Sequence, residues 1–123
     1  MKPRLIWATL IALCLALAGS AWADPVAEVK AAKGVENKQP VDEGTAFDAG
    51  TKVYVWSRIT DADGQTVKHV WKRDGKEEWT ANLKIKSAKW STQSRRNVRA
   101  GEYTVEVLAE DGTKIGEVSF SVK

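Results

Sequence analysis

Residues 101–123, GEYTVEVLAEDGTKIGEVSFSVK, show the clearest structural pattern in the sequence. Apolar and polar residues alternate on both sides of the Asp111-Gly112 pair, a pattern typical of an antiparallel hairpin with one buried face. A two-residue turn at this pair places Tyr103 opposite Phe120, and directly opposed residues point to the same side of a hairpin. The apolar residues of both strands therefore share one face.

Similar alternating runs continue upstream and are separated by two further Asp-Gly pairs, at residues 63–64 and 74–75. The predicted strands cover residues 26–32, 51–60, 66–73, 77–87, 90–98, 102–110 and 114–123. Residues 36–40 have the composition of a loop. Short strands with turns at this spacing predict an all-β fold, a seven-stranded antiparallel immunoglobulin-like sandwich that forms one domain over residues 24–123.

Two tryptophans allow the turn at Asp74-Gly75 to be examined. A two-residue turn would place Trp71 and Trp79 on opposite faces of the hairpin. A three-residue loop with Gly75 at positive φ shifts the register and places both on one buried face. An aromatic side chain lost from the core forfeits about 4 to 6 kcal/mol, more than turn types differ, so we predict the longer loop.

The first 23 residues have the layout of a secretory signal peptide. Lys2 and Arg4 precede an uncharged apolar run, and small residues lead to an A-x-A cleavage pattern at residues 21–23. Cleavage would make Asp24 the mature N-terminus and place the protein in the periplasm or outside the cell. The alternative is a retained membrane anchor, because residues 5–23 carry no charge and are long enough to reach across a bilayer.

The mature chain predicted in this way has no cysteine, because Cys14 is the only one and leaves with the signal peptide. It then has no disulfide, no thiol nucleophile and no cysteine-based zinc site. We expect no catalytic residue, no metal and no cofactor. Losing Lys2 and Arg4 leaves 17 basic against 16 acidic side chains, so the whole chain's net charge of +3 falls to +1.

Charge is segregated along the mature chain. Between residues 68 and 99 there are ten basic residues and three acidic ones. Outside the cytoplasm, such a segment could meet an anionic envelope polymer or a protein partner, whereas nucleic acid is not expected there. Solvated lysines on strand faces are the simpler explanation. Membrane association is expected only if the signal peptide is retained.

A basic aromatic face follows if residues 61–65 close a hairpin between the strands 51–60 and 66–73. Strand parity then places one set of aromatic and basic side chains on the face opposite His69. This candidate binding set is Tyr54, Trp56, Arg58, Lys68, Lys72 and Lys84. An aromatic pair ringed by cations could stack on sugars or bind anions. Alternatively, residues 26–47 cover Tyr54 and Trp56, with Val29, Val41 or Phe47 packed on them.

His69 is the only histidine, and parity places it on the face of Trp71, against Ser57. A hydrogen-bonded core histidine fits this position. A catalytic role would need a carboxylate such as Asp61 or Asp63 beside it.

Several short motifs occur in a fixed order along the chain. They are Val67-x-His69-x-Trp71, Gly75-Lys76, Trp90-Ser91, Gly101-x-Tyr103-x-Val105-x-Val107, Asp111-Gly112 and Gly116-x-Val118-x-Phe120-x-Val122. With these motifs, the chain from about Val29 to Lys123 resembles domain-of-unknown-function family 2914. The resemblance implies a small extracytoplasmic β domain and brings no established activity. Ser91, Gln93 and Tyr103 depart from the residues usual in that family.

These observations favour a non-enzymatic extracytoplasmic binding or interaction module that uses the basic face. The first alternative is an enzyme or enzyme subunit acting through His69 and a carboxylate. The second is a structural accessory domain without a ligand.

Overall fold

The computed structural model describes residues 24–123, which form nine strands and no helix. The strands are β1 (Val26–Glu36), β2 (Gln39–Glu43), β3 (Ala46–Phe47), β4 (Lys52–Thr60), β5 (Thr66–Arg73), β6 (Lys76–Lys84), β7 (Lys89–Asn97), β8 (Gly101–Leu108) and β9 (Lys114–Val122). Within this range no helix could cross a membrane. The predicted signal peptide, residues 1–23, lies outside the described residues and stays a prediction.

The strands form two sheets, so the predicted all-β sandwich is confirmed. One sheet has the order β3-β9-β8-β5-β6 and the other has the order β2-β1-β4-β7. This arrangement corresponds to the A-B-E and G-F-C strands of an immunoglobulin-like sandwich, with β6 added beside strand C. The predicted number of seven strands was wrong, because the segment between β1 and β4 adds the short strands β2 and β3. The sandwich is also not wholly antiparallel, since β3 pairs in parallel with β9.

Two core aromatics occupy positions typical of immunoglobulin-like sandwiches. Trp71 on β5, the strand that corresponds to C, is completely buried and packs edge-on against Tyr103 and Phe120. The Tyr103 hydroxyl accepts a hydrogen bond from the Arg99 N–H at 3.1 Å, closing a tyrosine corner between β7 and β8. Tyrosine rather than tryptophan is suited to this position because the indole N–H cannot accept a hydrogen bond.

The interior is divided into two apolar clusters. The larger cluster contains Ala31, Phe47, Val53, Val55, Trp71, Val98, Tyr103, Val105, Phe120 and Val122. The smaller cluster contains Ile59, Ala62, Val67, Ile85 and Val107. Along β4 and β5, Ser57 and His69 lie between the members of the two clusters, so the clusters meet at a polar layer.

The turn between β5 and β6 is shorter than predicted. Asp74 and Gly75 have φ values of 52° and 83°, as a two-residue type I′ turn requires, and Arg73 pairs with Lys76. The three-residue loop was therefore wrong, although Gly75 does have positive φ. Trp71 still lies opposite Trp79, as predicted, because Lys72 pairs with Glu77 and the register of β6 shifts by one residue between these two pairs. The predicted burial of both rings was wrong for Trp79, which lies on the edge strand β6 and is 37% exposed.

The turn between β8 and β9 is longer than predicted. Ala109 N–H donates to the Thr113 carbonyl at 2.8 Å, which leaves a three-residue loop with Gly112 at φ 92°. Tyr103 nevertheless lies opposite Phe120, because a register shift at Ile115 compensates for the longer loop. In both hairpins the apolar register was right and the turn length was wrong.

The predicted hairpin between residues 51–60 and 66–73 does not form. These segments are β4 and β5, which lie in different sheets. The intervening loop crosses from one sheet to the other and buries Ala62 on the way, with 1% of its surface exposed. The inward residues of both strands do share the core, but the outward residues of β4 and β5 lie on opposite sides of the sandwich.

Candidate functional site

The turn end of the hairpin formed by β1 and β2 bends over the outer face of β4, beyond the part of β1 that pairs with that strand. Its two-residue turn, Asn37 and Lys38, has φ values of 51° and 62°. The Trp56 indole N–H donates to the Lys38 carbonyl at 2.9 Å. Only 2% of the Trp56 surface is exposed. The alternative in which residues 26–47 cover the aromatic pair is therefore confirmed for Trp56 but not for Tyr54, which stays partly exposed. The contact comes from Lys38, whereas Val29 and Phe47 pack in the core.

A cleft of about 550 Å³ lies between this hairpin turn and β7. We call it the basic groove, and it is lined by Asn37, Lys38, Gln39, Arg58, Ser87, Lys89, Trp90 and Ser91. Three of the lining residues are cations, contributed by the hairpin turn, β4 and the start of β7. The lining contains no carboxylate. An adjoining pocket of about 350 Å³ continues along β7 to Gln93 and reaches the Trp56 ring.

Arg58 connects the charged and aromatic parts of the groove. Its guanidinium carbon lies 5.4 Å from the centroid of the Trp56 ring, within cation–π range. Glu28 is the residue opposite Arg58 on β1, but the two form no ion pair within 4.0 Å. Stacking on a buried ring holds the guanidinium in place, so its donors are positioned at the groove before any ligand arrives.

Tyr54 extends this surface away from the groove. It is partly exposed on the outer face of β4, and the Arg95 guanidinium lies 5.9 Å from its ring centroid. Of the predicted binding set, Tyr54, Trp56 and Arg58 therefore share one face, with Trp56 beneath the surface rather than on it.

The three lysines of the predicted set lie on the other side of the molecule. Lys68, Lys72 and Lys84 belong to β5 and β6, on the outer face of the five-stranded sheet. Lys72 forms an ion pair with Glu106 on β8, with Nζ and Oε1 3.2 Å apart. The single basic aromatic face was thus wrong, because the connection between β4 and β5 changes sheets.

His69 lies in the polar layer between the two core clusters. Its Nε2 is 2.7 Å from the Ser57 hydroxyl, and its Nδ1 is 2.7 Å from the Ser94 hydroxyl. The Trp71 indole N–H donates to the same Ser94 oxygen at 2.9 Å. These bonds join β4 and β7 of one sheet to β5 of the other. The predicted contact with Ser57 is confirmed, although it bridges the two sheets rather than a hairpin.

This cluster is a structural connection rather than an open site. His69 and Ser57 have no exposed surface, so a substrate cannot reach the pair without opening the core. Burial lowers the pKa of His69 to about 4 from 6.5, which keeps the ring neutral at pH 7. The pairing of His69 with a carboxylate was wrong, since both ring nitrogens contact serine hydroxyls.

A third cleft, of about 470 Å³, lies between the end of β7 and β6 and contains Glu78, Arg96, Arg99 and Tyr103. Glu78 accepts hydrogen bonds from Arg73 and Arg99, both at 2.9 Å. The bond from Arg73 is the main cause that lowers the pKa of Glu78. Because the carboxylate already has two arginine partners, this cleft is a closed ion-pair network. Residues 24–123 contain no group of three His, Cys, Asp or Glu side chains able to hold a metal.

Comparison with known families identifies part of this fold. Residues 64–122 match the family described as "Protein of unknown function (DUF2914)". The match covers 59 of the 123 residues, so the similarity to this family is shown for the C-terminal half of the chain. The resemblance predicted from the sequence is confirmed, although the match begins at Gly64 rather than near Val29. The basic groove thus combines Lys89 and Trp90 of the DUF2914 match with Lys38 and Arg58, which precede it.

No curated protein matches the chain. Among solved structures, the chain is similar to the CARDB domain of the PF1109 protein from Pyrococcus furiosus, described as a crystal structure in complex with di-metal ions. The two share 13% sequence identity over 80% of this chain and 92% of that chain, with a TM-score of 0.44.

Sequence reasoning missed Lys38, Lys89 and Trp90 as members of the site. Lys38 lies in a segment that was interpreted only as a loop. Asn37 suits the first position of a type I′ turn, but a lysine at positive φ and the fold-back of the hairpin have no local sequence signal. Trp90 was assigned to a strand, but its position at a groove depends on β7 being the edge of the sheet.

Proposed function

We propose that this protein is an extracytoplasmic, non-enzymatic interaction module whose basic groove binds an anionic group of its partner. The observation that carries this proposal is the convergence of Lys38, Arg58 and Lys89 on one cleft whose lining has no carboxylate. Cations that face one cleft repel one another, and an anionic ligand removes this repulsion while gaining charge-assisted hydrogen bonds.

The aromatic lining adds shape to the charge. Trp90 contributes to the lining while its side chain packs against the smaller core cluster, and Trp56 forms the floor of the adjoining pocket. A concave surface with apolar walls and a few placed polar groups is the usual form of a binding site. The extracytoplasmic location rests on the predicted signal peptide.

The proposal is tested with two charge-reversed variants of the exported protein. The groove variant carries Lys38→Glu and Lys89→Glu. The matched control carries Lys68→Glu and Lys84→Glu on the opposite sheet, which changes the net charge equally. The probes are a polyglutamate peptide, which represents an acidic protein segment, and poly(glycerol phosphate), which represents an envelope polymer. Binding is measured by isothermal titration calorimetry at low and at physiological salt.

The groove variant should lose roughly tenfold or more in affinity for the probe that binds, because attraction becomes repulsion at two positions. The control variant should bind like the wild-type protein, and salt should weaken both interactions. Equal weakening in both variants would show that only overall charge matters and would contradict the groove. Failure of the wild-type protein to bind either probe would favour a structural domain without a ligand.

A further inference from the structure

We propose that the free edge of β7 accepts an extended acidic segment of a partner protein as an added strand. This inference rests on the proposed function, and it names the partner class and the binding mode. β7 is the last strand of the four-stranded sheet, paired only with β4 among residues 24–123. It forms nine consecutive pairs with β4 and no register shift.

The ladder shows which backbone groups of β7 are free. Beyond its two ends, Val98 N–H donates to the Thr51 carbonyl at 3.0 Å and Asp61 N–H donates to the Ala88 carbonyl at 2.8 Å. Hydrogen-bonded pairs alternate along an antiparallel ladder. Even-numbered residues of β7 therefore bond to β4, and odd-numbered residues direct N–H and C=O away from the sheet. These outward residues are Lys89, Ser91, Gln93, Arg95 and Asn97.

The other edges of the described residues are unsuited to strand addition. β2 contains Pro40, which has no N–H, and Asp42 at φ 58°. β6 is interrupted by its register shift opposite Trp71 and Lys72, and β3 has only two residues. Proline, bulges and short strands are common devices that prevent strand addition. β7 has none of these devices and carries only charge.

That charge specifies the partner. The segment from Lys89 to Arg99 contains four cations and no acidic residue. A second copy of the chain would bring the same cations to the seam, whereas an acidic strand would pair with them. Arg95 and the basic groove lie on the outer side of the edge, so the partner's outward side chains should be acidic.

The inner side of the same edge needs apolar cover. Trp79 on β6 is 37% exposed, and Arg96 of β7 stacks over its ring at 5.2 Å. An added strand would extend the four-stranded sheet, and its inward side chains would cover the exposed Trp79 ring with apolar contacts. The partner segment should therefore alternate acidic and apolar residues, and the adjoining pocket beside Gln93 would hold one of its outward side chains.

The test uses the exported protein and a labelled peptide of alternating Val and Glu, as long as the nine-residue β7. A second peptide has the same sequence with N-methyl groups on the amides that would face β7, which keeps the charge and removes the donors. A Gln93→Pro variant removes one outward donor of β7 and leaves the ladder to β4 intact. Binding is followed by fluorescence anisotropy, and amide exchange of β7 is followed by NMR.

The parent peptide should bind, and N-methylation should weaken it about tenfold or more. Binding should slow amide exchange at Ser91, Gln93 and Arg95, and Gln93→Pro should weaken binding. If the Gln93→Pro variant fails to fold, the comparison of the parent and N-methylated peptides on the wild-type protein still tests strand addition. If both peptides bind the wild-type protein equally and neither binds the groove variant, strand addition is overturned. The groove would then remain as an anion site. If no peptide binds, strand addition is overturned, and the glycerol phosphate polymer decides the proposed function.

Discussion

Trp71 and Trp79 lie directly opposite each other on β5 and β6, with ring centroids 6.1 Å apart, although only two residues join their strands. A register shift within β6 makes this possible. The two rings share one face but differ in environment, since Trp71 is completely buried and Trp79 lies at the sheet edge. Trp71 and Trp79 should therefore contribute differently to the stability of the protein, although they share one face.

Replacing these two tryptophans separately should show that difference. Trp71→Ala removes a ring at the centre of the larger core cluster and should lower the free energy of unfolding by about 3 to 5 kcal/mol. Trp79→Ala should cost no more than about 2 kcal/mol, because the ring is partly solvated in the folded protein. Urea denaturation measures both values. A larger loss for Trp79→Ala would contradict the edge position.

The two serines beside His69 should also differ. Ser94→Ala leaves both the Trp71 indole N–H and His69 Nδ1 without their partner, whereas Ser57→Ala leaves only His69 Nε2. A buried polar group without a partner costs about 1 to 3 kcal/mol. Ser94→Ala should therefore destabilise the protein more than Ser57→Ala in the same denaturation experiment. The reverse order would show that the network is not arranged around Ser94.

The free energy of unfolding should decrease as the pH is lowered, because His69 is buried in its neutral form. The pKa of His69 is about 4 in the folded protein and 6.5 for an ordinary histidine, and burial is the cause. Below pH 6.5 the unfolded chain binds a proton that the folded protein does not, so the loss grows down to pH 4 and reaches about 3 kcal/mol. Comparing pH titrations of wild type and His69→Gln isolates this contribution. An unchanged slope in the variant would refute it.

Two glycines provide a matched pair for testing how closely β9 approaches β1. A Cβ at Gly116 would lie 2.8 Å from the Ala27 carbonyl oxygen and 2.9 Å from Val29 Cγ2, whereas a Cβ at Gly34 would have no atom within 4 Å. Gly116→Ala should lower stability by about 1 to 3 kcal/mol through overpacking. Gly34→Ala should change it by no more than about 0.5 kcal/mol. Thermal unfolding of both variants checks the contrast.

The sequence predicted the core faces better than the connections between them. Alternation placed Tyr103 opposite Phe120 and His69 beside Ser57, because burial of one strand face leaves a period of two in the sequence. Turn lengths failed, since a register shift inside a strand compensates for a turn that is one residue longer or shorter. The alternation of apolar and polar residues does not reveal the register shifts at Glu78 and Ile115.

The site was harder to predict than the fold because it depends on long-range geometry. Arg58 and Lys68 were predicted to share one face, since consecutive strands usually pair. The loop after β4 instead crosses from one sheet to the other. Lys38 reaches Arg58 only because the first hairpin folds back over β4. Neither event follows from the composition of a local segment.

We expect an anionic partner to bind at the basic groove and the β7 edge. An NMR titration of the protein with the alternating Val and Glu peptide, followed at every backbone amide and indole N–H, tests this binding. We expect the largest shift changes at Lys38, at the Trp56 indole N–H that donates to the Lys38 carbonyl, and along the outward amides of β7. Changes centred on Lys68 and Lys84 of the opposite sheet, or no changes at low salt, would contradict it.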